Sequence, residues 1–122
     1  MTLATESSPF RLPNDPAESD LLAKYFRALG EPTRLRILEL LEGAELSVGD
    51  LVERLDLPQP QVSNHLGCLR WCGFVSSRRE HRTVYYRVAD ARVSRVIALG
   101  RALLADNEEH VAVCRSIDGR PC

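Results

Sequence analysis

The apolar residues of this chain change their spacing twice, and those changes restrict the fold more than any composition figure does. From Ala17 to Cys72 they recur at three- and four-residue intervals. From Phe74 to Ala89 they form two short runs rich in Val and Tyr, and beyond Asp90 the helical interval returns. Punctuation residues divide the first stretch. Leu21, Leu22, Tyr25, Phe26 and Leu29 mark a helix over about 17–29, ended by Gly30. Glu31-Pro32-Thr33 starts a second helix with Pro near its first turn, and Leu35, Ile37, Leu38, Leu40 and Leu41 fill its core face as far as Gly43. Ser47, with Asp50 three residues on, caps a third helix carrying Leu51, Val52 and Leu55. Pro58 ends it, and a fourth covers Gln59–Cys72, with Gly73 at its carboxyl-terminal cap.

Phe74–Arg79 and Thr83–Ala89 then read as strands joined by Glu80-His81-Arg82, hence a hairpin. Asp90 caps a last helix with a broad apolar stripe of Val93, Val96, Ile97, Leu99, Ala102, Leu103 and Leu104. The order is four helices, a hairpin and a helix. That is a mainly α fold with one β-hairpin, a winged helix-turn-helix with extra helices at both ends. Residues 1–15, rich in Ser, Pro and Asp, read as a flexible arm to which no function attaches. Residues 16–105 are the domain, and 106–122 a tail with helical character as far as Val113. A chain of 122 residues can bury only a small core, so dimerisation is expected.

The net charge of −1 argues against a generic nucleic-acid binder, but its distribution does not. Residues 70–101 hold eight Arg against Glu80 and Asp90, on an otherwise mildly acidic chain. One basic segment is the footprint of a single face meeting phosphate, and all but one of the basic residues are Arg, the better fork for phosphate oxygens. No apolar run approaches the ~18 residues of a membrane span, and the amino terminus lacks a signal-peptide layout. A cytoplasmic protein is expected. Cysteines 68, 72, 114 and 122 then read as metal ligands or redox thiols rather than as a disulfide framework.

The fourth helix carries most of the chemistry. On a helical wheel Val62, Leu66 and Leu69 cluster within about 60° and face the core. Gln59, Gln61, Ser63, Asn64 and His65 at its amino-terminal end suit base edges and phosphates. Arg78, Arg79 and Arg82, with His81, place cationic groups on the hairpin tip, where they supply salt-dependent, sequence-blind affinity. Cys68 and Cys72 lie one turn apart on the flank of the same helix, so their thiolates can share one soft metal ion. The competing reading is that both are small core hydrophobes.

Three stretches in order, Ala28-Leu-Gly-Glu-Pro-Thr-Arg-Leu-Arg-Ile-Leu38, Leu57-Pro-Gln-Pro-Gln-Val-Ser-Asn-His-Leu66 and Arg82-Thr-Val-Tyr-Tyr-Arg87, resemble the ArsR/SmtB family of metal-responsive repressors over about 18–105. The resemblance implies a homodimer built on the first and last helices, bound to a palindromic double-stranded operator and released by metal. The family's third-helix thiolate site is missing, since Ser47-Val48-Gly49-Asp50 occupies that position. Its last-helix Asp/His/Glu site has weak counterparts in Asp106, Glu108, Glu109 and His110. Cys68 and Cys72 instead match the paired cysteines of the CmtR-type cadmium/lead sensors. The resemblance then implies Cys114 as the third ligand, with Cys122 a substitute or a fourth. Three thiolates suit Cd(II), Pb(II) or Hg(II) as the sensed ligand, with no organic cofactor.

Two other readings remain. A thiol-redox switch would keep the DNA binding, with a disulfide to Cys114 more plausible than one between Cys68 and Cys72. An interaction module would use the fold to bind protein instead of DNA. An enzyme is not expected, for there is no Ser-His-Asp or Cys-His-Asn arrangement and no Gly-rich phosphate loop.

Overall fold

The computed structural model describes residues 17–114, so the arm over 1–15 and Cys122 lie outside it. Its elements are α1 (Glu18–Leu29), α2 (Pro32–Leu41), β1 (Leu46–Ser47), α3 (Val48–Leu55), α4 (Gln59–Trp71), β2 (Val75–Glu80), β3 (Thr83–Val88) and α5 (Ala91–Val113). The winged helix-turn-helix expected from the spacing is observed, with α3 and α4 as the helix pair and β2–β3 as the wing.

The core lies where α2, α3 and α4 meet. Ile37, Leu38, Leu51, Val62, Leu66 and Leu69 are fully buried, and Phe74 nearly so. Burial of each such side chain contributes roughly 1.5–3 kcal/mol. Caps fix where the helices begin. The Glu31 carboxylate accepts the Arg34 backbone N–H at 2.9 Å. Ser47 Oγ accepts from the Asp50 N–H at 3.0 Å while the Asp50 carboxylate accepts from the Ser47 N–H at 3.3 Å, a reciprocal capping box. Asp90 caps α5 by accepting from the Arg92 N–H at 2.8 Å. Hydrogen bonds from the Arg92 side chain, then from its backbone, hold the Asp90 carboxyl down at about 2.

The end of α4 is tightly specified. Phe74 N–H donates to Leu69 C=O at 2.9 Å and Gly73 N–H to Arg70 C=O at 3.1 Å, the two bonds of a Schellman closure. Gly73 has φ of +84°, a backbone conformation that a side chain disfavours. Cys72 is therefore the last residue before the turn, and Phe74 is delivered onto the core beside Leu69.

Three features differ from the sequence expectation. Leu46–Ser47 forms a short edge strand against Tyr86 and Tyr85, giving a three-stranded sheet in the order β1-β3-β2. Glu80 belongs to the ladder, paired with Thr83, so the loop shrinks to His81 and Arg82, and His81 takes a left-handed φ of 58°. The last helix runs through Asp106 to Val113, so the stretch read as the start of a tail continues α5 without a break.

Two apolar stripes remain exposed among the described residues. On α1, Leu21, Leu22, Tyr25 and Phe26 are 40–52% exposed; on α5, Val96, Leu99, Leu103, Leu104, Val111 and Val113 are 43–75% exposed. The periodicity that marked these helices is real, but only Ala28, Leu29, Val93 and Ile97 of them reach the core. Replacing Leu66 with Ala removes a fully buried side chain under the middle of α4 and is expected to destabilise the fold by about 2–5 kcal/mol, read as a lowered midpoint in urea unfolding.

Candidate nucleic-acid interface and thiol pair

Burying Val62, Leu66 and Leu69 turns the opposite side of α4 outward. Pro60, Asn64, Gly67 and Trp71, spaced by three and four residues, are all exposed and form one row along the helix, with Gln59 and Gln61 exposed beside it. Gln59 Nε2 donates to Ser63 Oγ at 3.2 Å, tying the two polar side chains of the first turn together. Apart from its chain neighbours and the helix's own backbone, no atom of the described residues lies within 4 Å of where a Gly67 side chain would begin, so packing among them does not require glycine there. Trp71, 92% exposed, escaped the sequence reading although it falls in register with Asn64. An isolated aromatic at a helix end carries no signal until the helix rotation is known.

His65 is turned onto α2 instead of outward. Its Nδ1 lies 3.6 Å from Glu31 Oε2, and its side chain is 17% exposed. Burial pushes the Glu31 carboxyl up, but the backbone N–H groups of Arg34 and Thr33, with the charges of His65 and Arg34, outweigh it and leave the group below its ordinary value. Arg34 extends the junction by donating from Nε to Ala28 C=O at 2.6 Å, so α1, α2 and α4 are joined at one corner.

On the wing, Arg79, His81 and Arg82 are exposed, and no carboxylate among the described residues pairs with Arg79 or Arg82. Arg78 differs. Its guanidinium is held by Glu45 at 2.7 Å and by Glu80 at 2.6 Å.

Cys68 and Cys72 lie together on the α4 flank, half-buried and packed against the edge of the core. Burial pushes the Cys72 thiol up; the charge of Cys68 and a hydrogen bond with it act the same way, while Arg34 and Lys24 pull it down. Tyr25, stacked against Phe74 with ring centroids 4.5 Å apart, is the neighbour from α1, its phenol raised by burial and then by Cys72. Two adjacent thiols with no carboxylate between them fit a soft cation. Among the described residues no three His, Cys, Asp or Glu side chains come together as a metal site. Cys114, at the end of α5, is thus not gathered with the pair inside one chain, nor do Asp106, Glu108, Glu109 and His110 form a site of their own.

Residues 31–77 match the family described as bacterial regulatory protein, arsR family. The chain is 40% identical over 118 residues to the "Probable mercury resistance operon repressor" of Streptomyces lividans, covering 97% of this chain and 90% of that protein. It is also 40% identical over 100 residues to the HTH-type transcriptional regulator CmtR of Mycobacterium tuberculosis, covering 80% of this chain and 85% of the relative. Among solved structures, the homodimeric winged helix-turn-helix DNA-binding domain of a possible ArsR-family regulator from Mycobacterium bovis superposes with a TM-score of 0.68 at 30% identity, over 82% of this chain and 95% of that one. The chain belongs to the arsR family. It is a DNA-binding transcriptional regulator and not an enzyme. Equal identity to the mercury and CmtR relatives does not single out the CmtR type. No helix among the described residues is long and apolar enough to cross a membrane.

Trp71 is the single tryptophan, and it shares the outward row with Asn64. Adding duplex DNA is expected to shield it from acrylamide quenching, whereas quenching unchanged at saturating DNA would place this row off the interface.

Proposed function

We propose that the chain is a homodimeric repressor that leaves its operator when a soft metal ion, Cd(II), Pb(II) or Hg(II), binds Cys68 and Cys72 of one subunit together with Cys114 of the other. The observation that carries this is the separation of the thiols. The amino-terminal end of α5 lies beside the end of α4, since Asp90, Arg92 and Val93 line one cavity with Gly73 and Phe74. From there α5 runs 23 residues to Val113, about 35 Å at helical rise. Cys114 of the same chain is therefore about a helix length from the pair, which supports taking this ligand from a second copy.

The uncovered stripes on α1 and α5 supply a reason for the second copy to dock, and the Mycobacterium bovis domain is homodimeric. The name of the Streptomyces relative supports a soft metal as the signal. Gln59, Gln61, Ser63 and Asn64 would read the groove while Arg79 and Arg82 hold phosphates. His65 would act by steadying α4 through Glu31. Metal drawn between the α4 flank and the partner's α5 pulls on the carboxyl-terminal end of the reading helix. A small rotation there moves Gln61 and Asn64 out of register. By linkage, metal that weakens DNA binding itself binds the DNA complex less tightly, and a coupling of about 2–3 kcal/mol gives a 30- to 150-fold loss of operator affinity.

Titration of the reduced protein with Cd(II) is expected to raise an intense ultraviolet thiolate-to-metal band that saturates at one metal per subunit and is weakened in Cys114→Ser. Hg(II), which accepts two thiolates, should still bind that variant. Cys68→Ser and Cys72→Ser should keep DNA binding yet no longer release DNA with Cd(II); release that survives both substitutions sinks the assignment. A second expectation concerns pH. All three thiols lose a proton on binding, so apparent Cd(II) affinity should rise by about three logarithmic units per pH unit below their pKa values. Because Cys72 is raised, the rise should continue above the ordinary thiol range. A plateau below neutral pH, followed by isothermal titration, would show that these thiols are not the ligands.

A further inference from the structure

Arg78 looks in the sequence like one more phosphate contact on a basic wing, but its surroundings assign it a different task. Every nitrogen of its guanidinium already has an acceptor. Nε donates to Glu45 Oε1 at 3.0 Å and Oε2 at 2.9 Å, and Nη2 to Glu45 Oε1 at 2.7 Å. Nη1 donates to Glu80 Oε2 at 2.6 Å. The cation also lies over the ring of Tyr85, its cross-strand partner, 4.7 Å from the centroid. Glu45 immediately precedes β1, whose Leu46 pairs with Tyr86 of β3. One side chain thus ties the segment leading into the helix-turn-helix to both strands of the wing. The Glu45 carboxyl, held below its ordinary value first by these hydrogen bonds, stays charged and able to hold Arg78 throughout the physiological range.

We propose that Arg78 is a positioning residue: clamped by Glu45 and Glu80 against Tyr85, it sets the angle of the β2–β3 wing to α4 and leaves phosphate binding to Arg79 and Arg82. Two physical points favour this over direct contact. A bidentate Arg–carboxylate pair with a stacked ring is a geometrically specific arrangement. Moving the guanidinium to a phosphate would leave both Glu45 and Glu80 beside the DNA without their cation, adding repulsion where attraction is needed. Arg79 is next in sequence, so its side chain leaves the opposite face of β2, and no carboxylate among the described residues holds it.

The sign of one substitution separates the two roles. If Arg78 touched phosphate, Glu45→Gln would release it and tighten DNA binding. If Arg78 positions the wing, the same change weakens binding even though it removes a negative charge. The experiment is anisotropy of a labelled mixed-sequence duplex with the full-length protein over a salt series. Glu45→Gln and Arg78→Gln are each expected to weaken binding about tenfold, with the double variant no weaker than either alone. The charge swap Glu45→Arg with Arg78→Glu should restore only part of the loss, since a carboxylate at position 78 would face Glu80. Arg79→Gln and Arg82→Gln should each lower the salt slope by about one, as loss of a single phosphate contact does. These side chains are exposed, so the variants should fold, and hydrogen exchange of the free protein gives a readout independent of DNA. Exchange in 75–88 should quicken in Glu45→Gln and Arg78→Gln but not in Arg79→Gln. Tighter or unchanged binding in Glu45→Gln, or a slope lost through Arg78→Gln with Glu45 already replaced, overturns the proposal. Wild-type binding without salt dependence would instead count against the wing as a DNA-facing element, while the exchange comparison still decides whether Arg78 braces it.

Discussion

Burial of Val62, Leu66 and Leu69 fixes the rotation of α4, and nearly every functional placement in the protein follows from that rotation. Once those three side chains enter the core, helical geometry leaves no freedom for the rest. Pro60, Asn64, Gly67 and Trp71 must face outward; Cys68 and Cys72 must lie on the flank; His65 must meet α2. The Schellman closure at Gly73 completes the constraint by stopping the helix one residue after Trp71 and turning Phe74 inward. The outward row and the thiol flank are therefore parts of one rigid body. A force on the flank cannot be absorbed without moving the row.

Much of this was legible in the sequence because it depends on local rules. Spacing placed the helices and the hairpin to within a residue or two except at the far end of α5, and Ser47, Asp90 and Gly73 carried cap and turn chemistry where the structure uses it. The wheel separated the buried stripe of α4 from the cysteines correctly. What the sequence did not disclose has two physical origins. Leu46–Ser47 is too short for any alternation to register, and it exists only because β3 offers it an edge. Glu31 beside His65 and Glu45 beside Arg78 lie more than thirty residues away in sequence, and no periodicity encodes a contact between side chains so far apart. Both residues read as DNA contacts from type and position alone, which do not disclose a carboxylate already beside the side chain.

The apolar stripes of α1 and α5 teach a complementary lesson. Their periodicity predicts an amphipathic helix faithfully, but not whose core the apolar side enters. Within one chain, α1 buries little beyond Ala28 and Leu29, and α5 little beyond Val93 and Ile97. The remaining surface is too extensive and too continuous to be incidental for a domain this small. A fold whose end helices are stabilised by a second copy makes the spacing of its two reading helices a property of the dimer. Whatever alters the contact between subunits then alters the fit to successive turns of DNA.

This is why the position of Cys114 matters more than its identity as a thiol. A third donor on the same chain, near the pair, would make a local site whose occupancy need not reach the partner. In the proposed dimer, a donor a full α5 length away would turn each metal ion into a link between the flank of one reading helix and the end helix of the other subunit. Such a dimer without metal would be held by apolar contact, which is non-directional and tolerates sliding. Thiolate–metal bonds are short and directional, so occupancy would replace a compliant contact with a stiff one at the place where α4 ends. The wing, clamped through Arg78 to the segment entering the helix-turn-helix, would be carried along with the body that the metal displaces. Groove-reading side chains and phosphate-holding arginines would then lose their fit together, and the response would be a release of the whole interface.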